Sequence, residues 1–173
     1  MLPLTANQYA PFFETYINYV PAFENFEMAL NNSTTALINF AEKIPNTKEN
    51  FAYENNKWSI KQVFQHINDT ERVMTFRALV SGRGDNRVEL CRMDENLYAK
   101  TTNVATKTLD DILQEFIAIR LSTKYLYRTF NEEQLTFKTP TAAKWPISAK
   151  AVAYIIIGHA MHHCSVVNQR YLL

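Results

Sequence analysis

Four stretches of the chain repeat their apolar residues at helical spacing. Between Phe23 and Ile44 the residues Phe26, Leu30, Leu37, Ala41 and Ile44 recur at intervals of three, four and seven, and Pro45 closes the run. A second stretch opens at Ser59, an N-cap that Gln62 can complete as a capping box, and carries Ile60, Val63, Phe64, Ile67, Met74 and Ala78 on one face. It is expected to end at Gly82, whose missing Cβ suits the left-handed conformation common at helix C-termini. A third begins at the cap Thr108, with Asp110 and Asp111 where the helix dipole favours negative charge; its stripe runs Leu109, Ile112, Leu113, Phe116, Thr123, Tyr127, Phe130. The last, Ala149 to Tyr171 behind a Ser148 cap, is a long apolar pattern holding Val152, Ile155, Ile156, Val166 and Val167. No strand pattern alternates for long enough to displace these helices, and no internal repeat stands out. An all-α four-helix bundle is predicted.

The segments between them are less regular. Residues 1–22 read as a lead-in: Pro11 can start a turn of helix through Phe12, Phe13, Tyr16, Ile17 and Tyr19, and Pro21 breaks its continuation. This aromatic piece is expected to drape over a single bundle domain, residues 23–173. Asn46 to Lys57 is polar and asparagine-rich, a connecting loop. Residues 83–107, with Arg83, Gly84, Asp85, Arg92, Asp94 and Glu95, form a long link without clear periodicity, expected to cover one end of the bundle. Asn131 to Ile147 is irregular and contains Pro140 and Pro146.

Composition narrows the function classes. With 47% hydrophobic residues in 173, the chain can bury one substantial core. Its 18 basic and 17 acidic residues are interleaved to a net charge of +1, so neither a nucleic-acid stripe nor a charged tail is present. The apolar run Ala151 to Met161 is interrupted by Gly158 and His159 and is too short to span a bilayer, so no membrane partner is expected. Met1 to Ala10 lacks the pattern of a secretory signal, and two cysteines, Cys91 and Cys164, make no disulfide framework; both point to the cytoplasm.

The candidate chemistry lies in the histidines. Three of the four, His159, His162 and His163, crowd the last helical stretch, and His66 stands beside the apolar stripe of the second. His159 and His163, four apart, share one helix face, while His162 lies roughly 60° from His159 and Cys164 about 140°. Three imidazoles converging in the bundle interior can hold one divalent ion. Neutral imidazole suits zinc, nickel, copper or iron, and three protein nitrogens leave a position open for water or substrate. His162 is read as a flanking residue, and replaces His163 if the helix is rotated. A lone histidine on an apolar face is ordinarily a hydrogen-bonded core residue, so it is the set that carries the signal. Cys164 reads as a buried thiol, Trp58 and Trp145 as packing anchors, Asp69 as a residue that can orient His66, and Asp94 or Glu95 as a base from the covering link. Gly158, at a cost of about 1 kcal/mol inside a helix, implies a close neighbour or room for something bound. No Glu-x-x-His precedes a histidine, and His159 is followed by Ala160, which sets aside the di-iron carboxylate and H-E-x-x-H arrangements.

The string K-W-S-I-K-Q-V-F-Q-H-I-N-D-T-E-R-V-M-T-F-R-A-L-V-S-G-R-G-D from Lys57 to Asp85 resembles the second-helix signature of the DinB/YfiT-like superfamily. So do I-S-A-K-A-V-A-Y-I-I-I-G-H-A-M-H-H from Ile147 to His163, Q-R-Y-L from Gln169 to Leu172, M-D-E-N-L-Y from Met93 to Tyr98 and Y-V-P from Tyr19 to Pro21. The resemblance implies an up-down-down-up bundle, often a homodimer, with a metal held by His66, His159 and His163. It implies zinc or nickel first, and iron or manganese next. It also implies an enzyme that activates a low-molecular-weight thiol, or water, against a small-molecule electrophile: a thiol transferase or a metal-dependent hydrolase. Cys91 and Arg92 depart from the Pro and Gly that many members carry before the acidic pair. The competing reading is a non-catalytic, metal-stabilised, stress-associated interaction module.

Overall fold

Residues 4–142 and 145–172 are described in the computed structural model. A 3-10 turn at Pro11–Phe13 runs directly into α1, Glu14–Ile17. The long helices follow as α2 (Phe26–Ala41), α3 (Ile60–Gly82), α5 (Leu109–Tyr127) and α6 (Ala149–Tyr171), with a short α4 (Glu95–Thr101) between α3 and α5. Side-chain caps fix their starts. Ser59 Oγ accepts from Gln62 N (3.3 Å) while Gln62 Oε1 accepts from Ser59 N (2.8 Å). Thr108 and Asp111 make the same reciprocal pair, and Ser148 accepts from Ala151 N at 3.1 Å. Asn25 accepts from Met28 N, so α2 starts at Phe26 rather than Phe23.

Cross-links give the helix directions. Asn68 Nδ2 donates to Ile112 O (3.0 Å), Glu71 meets Arg120 (2.7 Å), and Thr75 pairs with Thr123 (3.1 Å). Partners advance together along both chains, so α3 and α5 are parallel. Helix α6 opposes α3: His66 faces His159, whereas Tyr171 OH donates to Trp58 O at 2.9 Å. Helix α2 opposes α5 through Ser33 with Arg120 and Glu27 with Arg128. The order is therefore up, down, down, up.

Parallel neighbours oblige the chain to return along the whole of α3, about 34 Å for 23 residues. The link 83–107 makes that return along the flank of the bundle instead of covering an end. Within it, Asp94 Oδ1 caps α4 by accepting from Leu97 N (3.0 Å), and Gln62 Nε2 on α3 donates to Ala99 O (2.9 Å). Leu90 bridges to Thr141, next to a two-residue antiparallel pair, β1 (Lys138–Thr139) and β2 (Ile147–Ser148). Gly82 does not take the left-handed conformation; Gly84 does, at φ 69°. What Gly82 provides is space, since an added Cβ would lie 2.5 Å from the Phe130 ring.

Two apolar clusters fill the bundle. One gathers Leu30, Met74, Tyr127 and Ile155, the other Leu37, Ile67, Phe116 and Ala160. At the level between them lies a buried polar hub. Arg120 pairs with Glu71 (2.7 Å) and donates to Ser33 Oγ (3.0 Å) and Ile156 O (3.2 Å), and Thr123 Oγ1 donates to the other Glu71 oxygen (2.9 Å). All four long helices contribute.

The lead-in lies against α6. A Cβ at Gly158 would collide with the carbonyl oxygen of Tyr16, so the glycine marks a close backbone approach. An interior helical Gly→Ala change ordinarily gains about 1 kcal/mol; Gly158→Ala is expected to lose stability in urea unfolding, and a gain would show that the approach is not needed. Arg120→Ala should cost about 3–5 kcal/mol in the same measurement, because it strands the buried Glu71 carboxylate.

Candidate metal centre

His66 stands near the start of α3, and His159 and His163 occupy successive turns in the middle of α6. Their rings meet. The Nε2 of His159 is 3.1 Å from that of His66 and 3.1 Å from that of His163, and the candidate ligand atoms of all three lie within 4.8 Å of one another. Two nitrogens sharing an ion at about 2.1 Å sit about 3.0–3.4 Å apart for octahedral to tetrahedral angles. Both pairs that include His159 have that spacing, and the chemistry of the three donors fits one divalent ion. His162 stands outside it, its ring edge-on to Tyr16 (5.4 Å) and Tyr19 (5.5 Å). Cys164 is also outside, its thiol pushed up to about 12 by burial, which nearby Arg120 only partly offsets.

Burial sets the protonation of the cluster. It pulls His66 down to about 4 against the raising effect of Glu95, and His163 down to about 3 with help from His66 and His162. His159, the most enclosed, is held well below the usual range by burial and then by the neighbouring rings. At neutral pH each imidazole therefore keeps one ring nitrogen unprotonated, with a lone pair to donate. Around them, the Trp58 ring lies 4.8 Å from that of His66, and Thr70 Oγ1 is 3.5 Å from His66 Nδ1, long for a hydrogen bond. Asp69 does not turn toward His66; it accepts from Gln65 Nε2 (3.2 Å) and faces Arg72 (3.6 Å). Thr70, one turn beyond His66, occupies the place that the sequence reading gave to Asp69.

The three rings border a cavity of about 630 Å³. Its walls come from the lead-in, α3, the return link and the segment around Trp145. Both tryptophans line it: Trp58 packs against the core as well, whereas Trp145 is 45% exposed, so the second is a rim residue rather than a packing anchor. Of the two link acids read as candidate bases, Asp94 is spent on capping α4 and Glu95 lines the cavity. Sequence reasoning missed Arg77, also on the wall. Its spacing of 11 from His66, close to three whole helical turns, was a usable signal.

Comparison with known proteins bears on the family and the fold. A family model described as the DinB superfamily matches residues 29–167. Among solved structures, YfiT from Bacillus subtilis, described as "a probable metal-dependent hydrolase with an unusual four-helix bundle topology", superposes with a TM-score of 0.74 at 16% identity, over 87% of this chain and 90% of that one. The mycothiol-dependent maleylpyruvate isomerase superposes with a TM-score of 0.65 at 11% identity, over 86% of this chain but 61% of its own. At such identities the likeness is one of fold. No curated protein matches the chain.

The depressed histidines make a pH prediction. Below pH 6.5 the unfolded chain takes up protons that the folded rings refuse until about pH 4 for His66 and about pH 3 for His163. Stability of the metal-free protein must therefore fall as pH drops through that window. Urea midpoints should decline from pH 6.5 toward 4, and less steeply in His66→Gln; equal slopes in the two proteins would contradict a buried neutral ring.

Proposed function

The chain belongs to the DinB superfamily, and from that premise we propose that it is a metal-dependent enzyme, a thiol transferase or hydrolase acting on small electrophiles, with His66, His159 and His163 as the ligands of one divalent ion, zinc or nickel foremost. One observation carries the reading: three neutral imidazole nitrogens converge on a cavity wide enough for a small molecule. When bound, such an ion supplies Lewis acidity, lowering the pKa of a thiol or water so that a nucleophile exists near neutral pH.

The chain's own residues divide the remaining work. The apolar surroundings of α3 and α6 keep the imidazoles deprotonated, and Trp58 restricts the ring of His66 from one side. Among the described residues of the cavity wall, Glu95 is the carboxylate, within electrostatic reach of His66 and Tyr16. It is the residue placed to accept the nucleophile's proton. Tyr16, edge-on to His159 at 5.1 Å, closes the lead-in side against water. In this reading residues 23–173 form one domain, with residues 1–22 as its strap. The described helices include none long and apolar enough to cross a membrane.

Elemental analysis of protein prepared without nickel-affinity chromatography should find about one equivalent of a divalent ion in wild type and none in His159→Ala, with the helical content of both alike; full occupancy in the variant removes the triad. Glu95→Gln should leave metal content unchanged and lower metal-dependent conjugation of a small thiol to an electrophile panel by about 100-fold or more. Wild-type turnover in the variant would take the proton-accepting role from Glu95. Silence of metal-loaded wild type across thiol and hydrolytic panels would favour the metal-stabilised interaction module.

A further inference from the structure

The cavity carries positive charge that the chemistry above does not use. Arg77 is half-buried on α3, 11 residues beyond His66, which places it on nearly the same helix face about 16 Å further along the axis. Its Nη2 donates to Cys91 O (2.7 Å) and its Nη1 lies 3.3 Å from Met74 Sδ. Among the described residues no carboxylate comes within ion-pair distance of it. A guanidinium offers five N–H donors in a planar fork suited to an oxyanion. Two serve the contacts named, and neither neutralises the charge.

The surroundings sharpen the point. Arg92, exposed on the same wall, adds a second cation, again without a carboxylate beside it. The opposing charge, Glu95, acts on His66 and Tyr16, toward the histidine end. Apolar groups, Phe12, Met74, Leu90 and Trp145 among them, make up much of the remaining wall. Such a cavity has a metal-binding end, an apolar middle and a cationic end. A half-buried cation without a counter-ion is costly to keep, and a ligand anion meets that cost.

We propose that Arg77 is the specificity-determining residue of this cavity, receiving the carboxylate of an elongated small molecule whose other end reaches the three histidines. The proposal rests on the reading of this cavity as the reaction site. Holding the return link in place through Cys91 O is a separate task of Arg77, which needs a donor but no charge. A ligand's charge is therefore what distinguishes the two roles.

Trp58 and Trp145 are the chain's two tryptophans and both border the cavity, so their fluorescence reports its occupancy. The full chain, freed of metal so that a carboxylate cannot turn to an ion, is titrated with octanoate and with octanamide. Wild type should prefer octanoate by about 10- to 100-fold, the range of a charge-assisted hydrogen-bonded pair. Arg77→Gln should bring the ratio near one with octanamide affinity unchanged, and Arg77→Met serves where the first variant is unstable. No preference in wild type, a preference that survives substitution, or equal weakening of both ligands would each overturn the assignment. A second arm separates this from the function itself: in metal-loaded wild type, the ω-mercapto derivative of octanoate should bind more tightly than octanoate. Loss of that gain with the carboxylate preference intact would sink the thiol reading and leave Arg77 standing.

Discussion

The ion pair of Glu71 and Arg120 is the constraint on which the rest of the bundle depends. It sits where the two apolar clusters meet, and it is satisfied by groups from all four long helices. Its desolvation penalty is large enough that a well-packed apolar substitute can be as stable. What an apolar contact lacks is a requirement for one register. Glu71 lies five residues beyond His66 on α3, and Ile156, whose carbonyl takes an Arg120 hydrogen bond, lies three before His159 on α6. Slipping either helix by one residue turns its side chains by about 100° and would break the hub and part the histidines together. Local order at the cluster and the buried charge pair are thus one structural fact.

The same low-polarity interior has opposite effects at its two polar places. At the hub it strengthens an attraction between charges that are already opposed and hydrogen-bonded. At the histidines Glu95 favours imidazolium only at His66 and does not outweigh burial there, so burial drives the protons off. A cluster of bases results, able to bind a cation and unable to become one near neutral pH. The cavity keeps this arrangement accessible, and its charged groups lie on the return link and on α3 rather than on α6.

Much of this was legible in the residues. The four helices followed from apolar spacing, and the capping pairs at Ser59 and Thr108 and the cap at Ser148 fixed three helix starts to within a residue. Convergence of His66 with His159 and His163 needed a tertiary fact, the meeting of α3 and α6, which periodicity cannot supply; family resemblance carried it. Helix α4 and the β1–β2 pair were illegible because seven and two residues are too few for a period to register. Gly82 was read by its C-terminal position, whereas its role is to admit Phe130. The hub did leave a trace: Arg120 and Glu71 occupy stripe positions, each four residues after an apolar member, Phe116 and Ile67. A charge on a core stripe is a request for a partner on another helix, and here each was the other's.

Gly158 ties the lead-in to the cluster in a way that side-chain patterns do not reveal. Because residue 158 has no Cβ, the backbone of Tyr16 can lie directly on α6, and the Tyr16 ring then reaches both His159 and His162. Any larger residue would lift the lead-in away and open the histidine end to solvent. Water reaching the rings would weaken the burial that keeps them unprotonated. The helix gives up roughly 1 kcal/mol of propensity at this glycine, and that local cost maintains the dielectric in which the adjacent histidine stays neutral. Backbone packing on one side of α6 thereby sets the electrostatics on its neighbouring face.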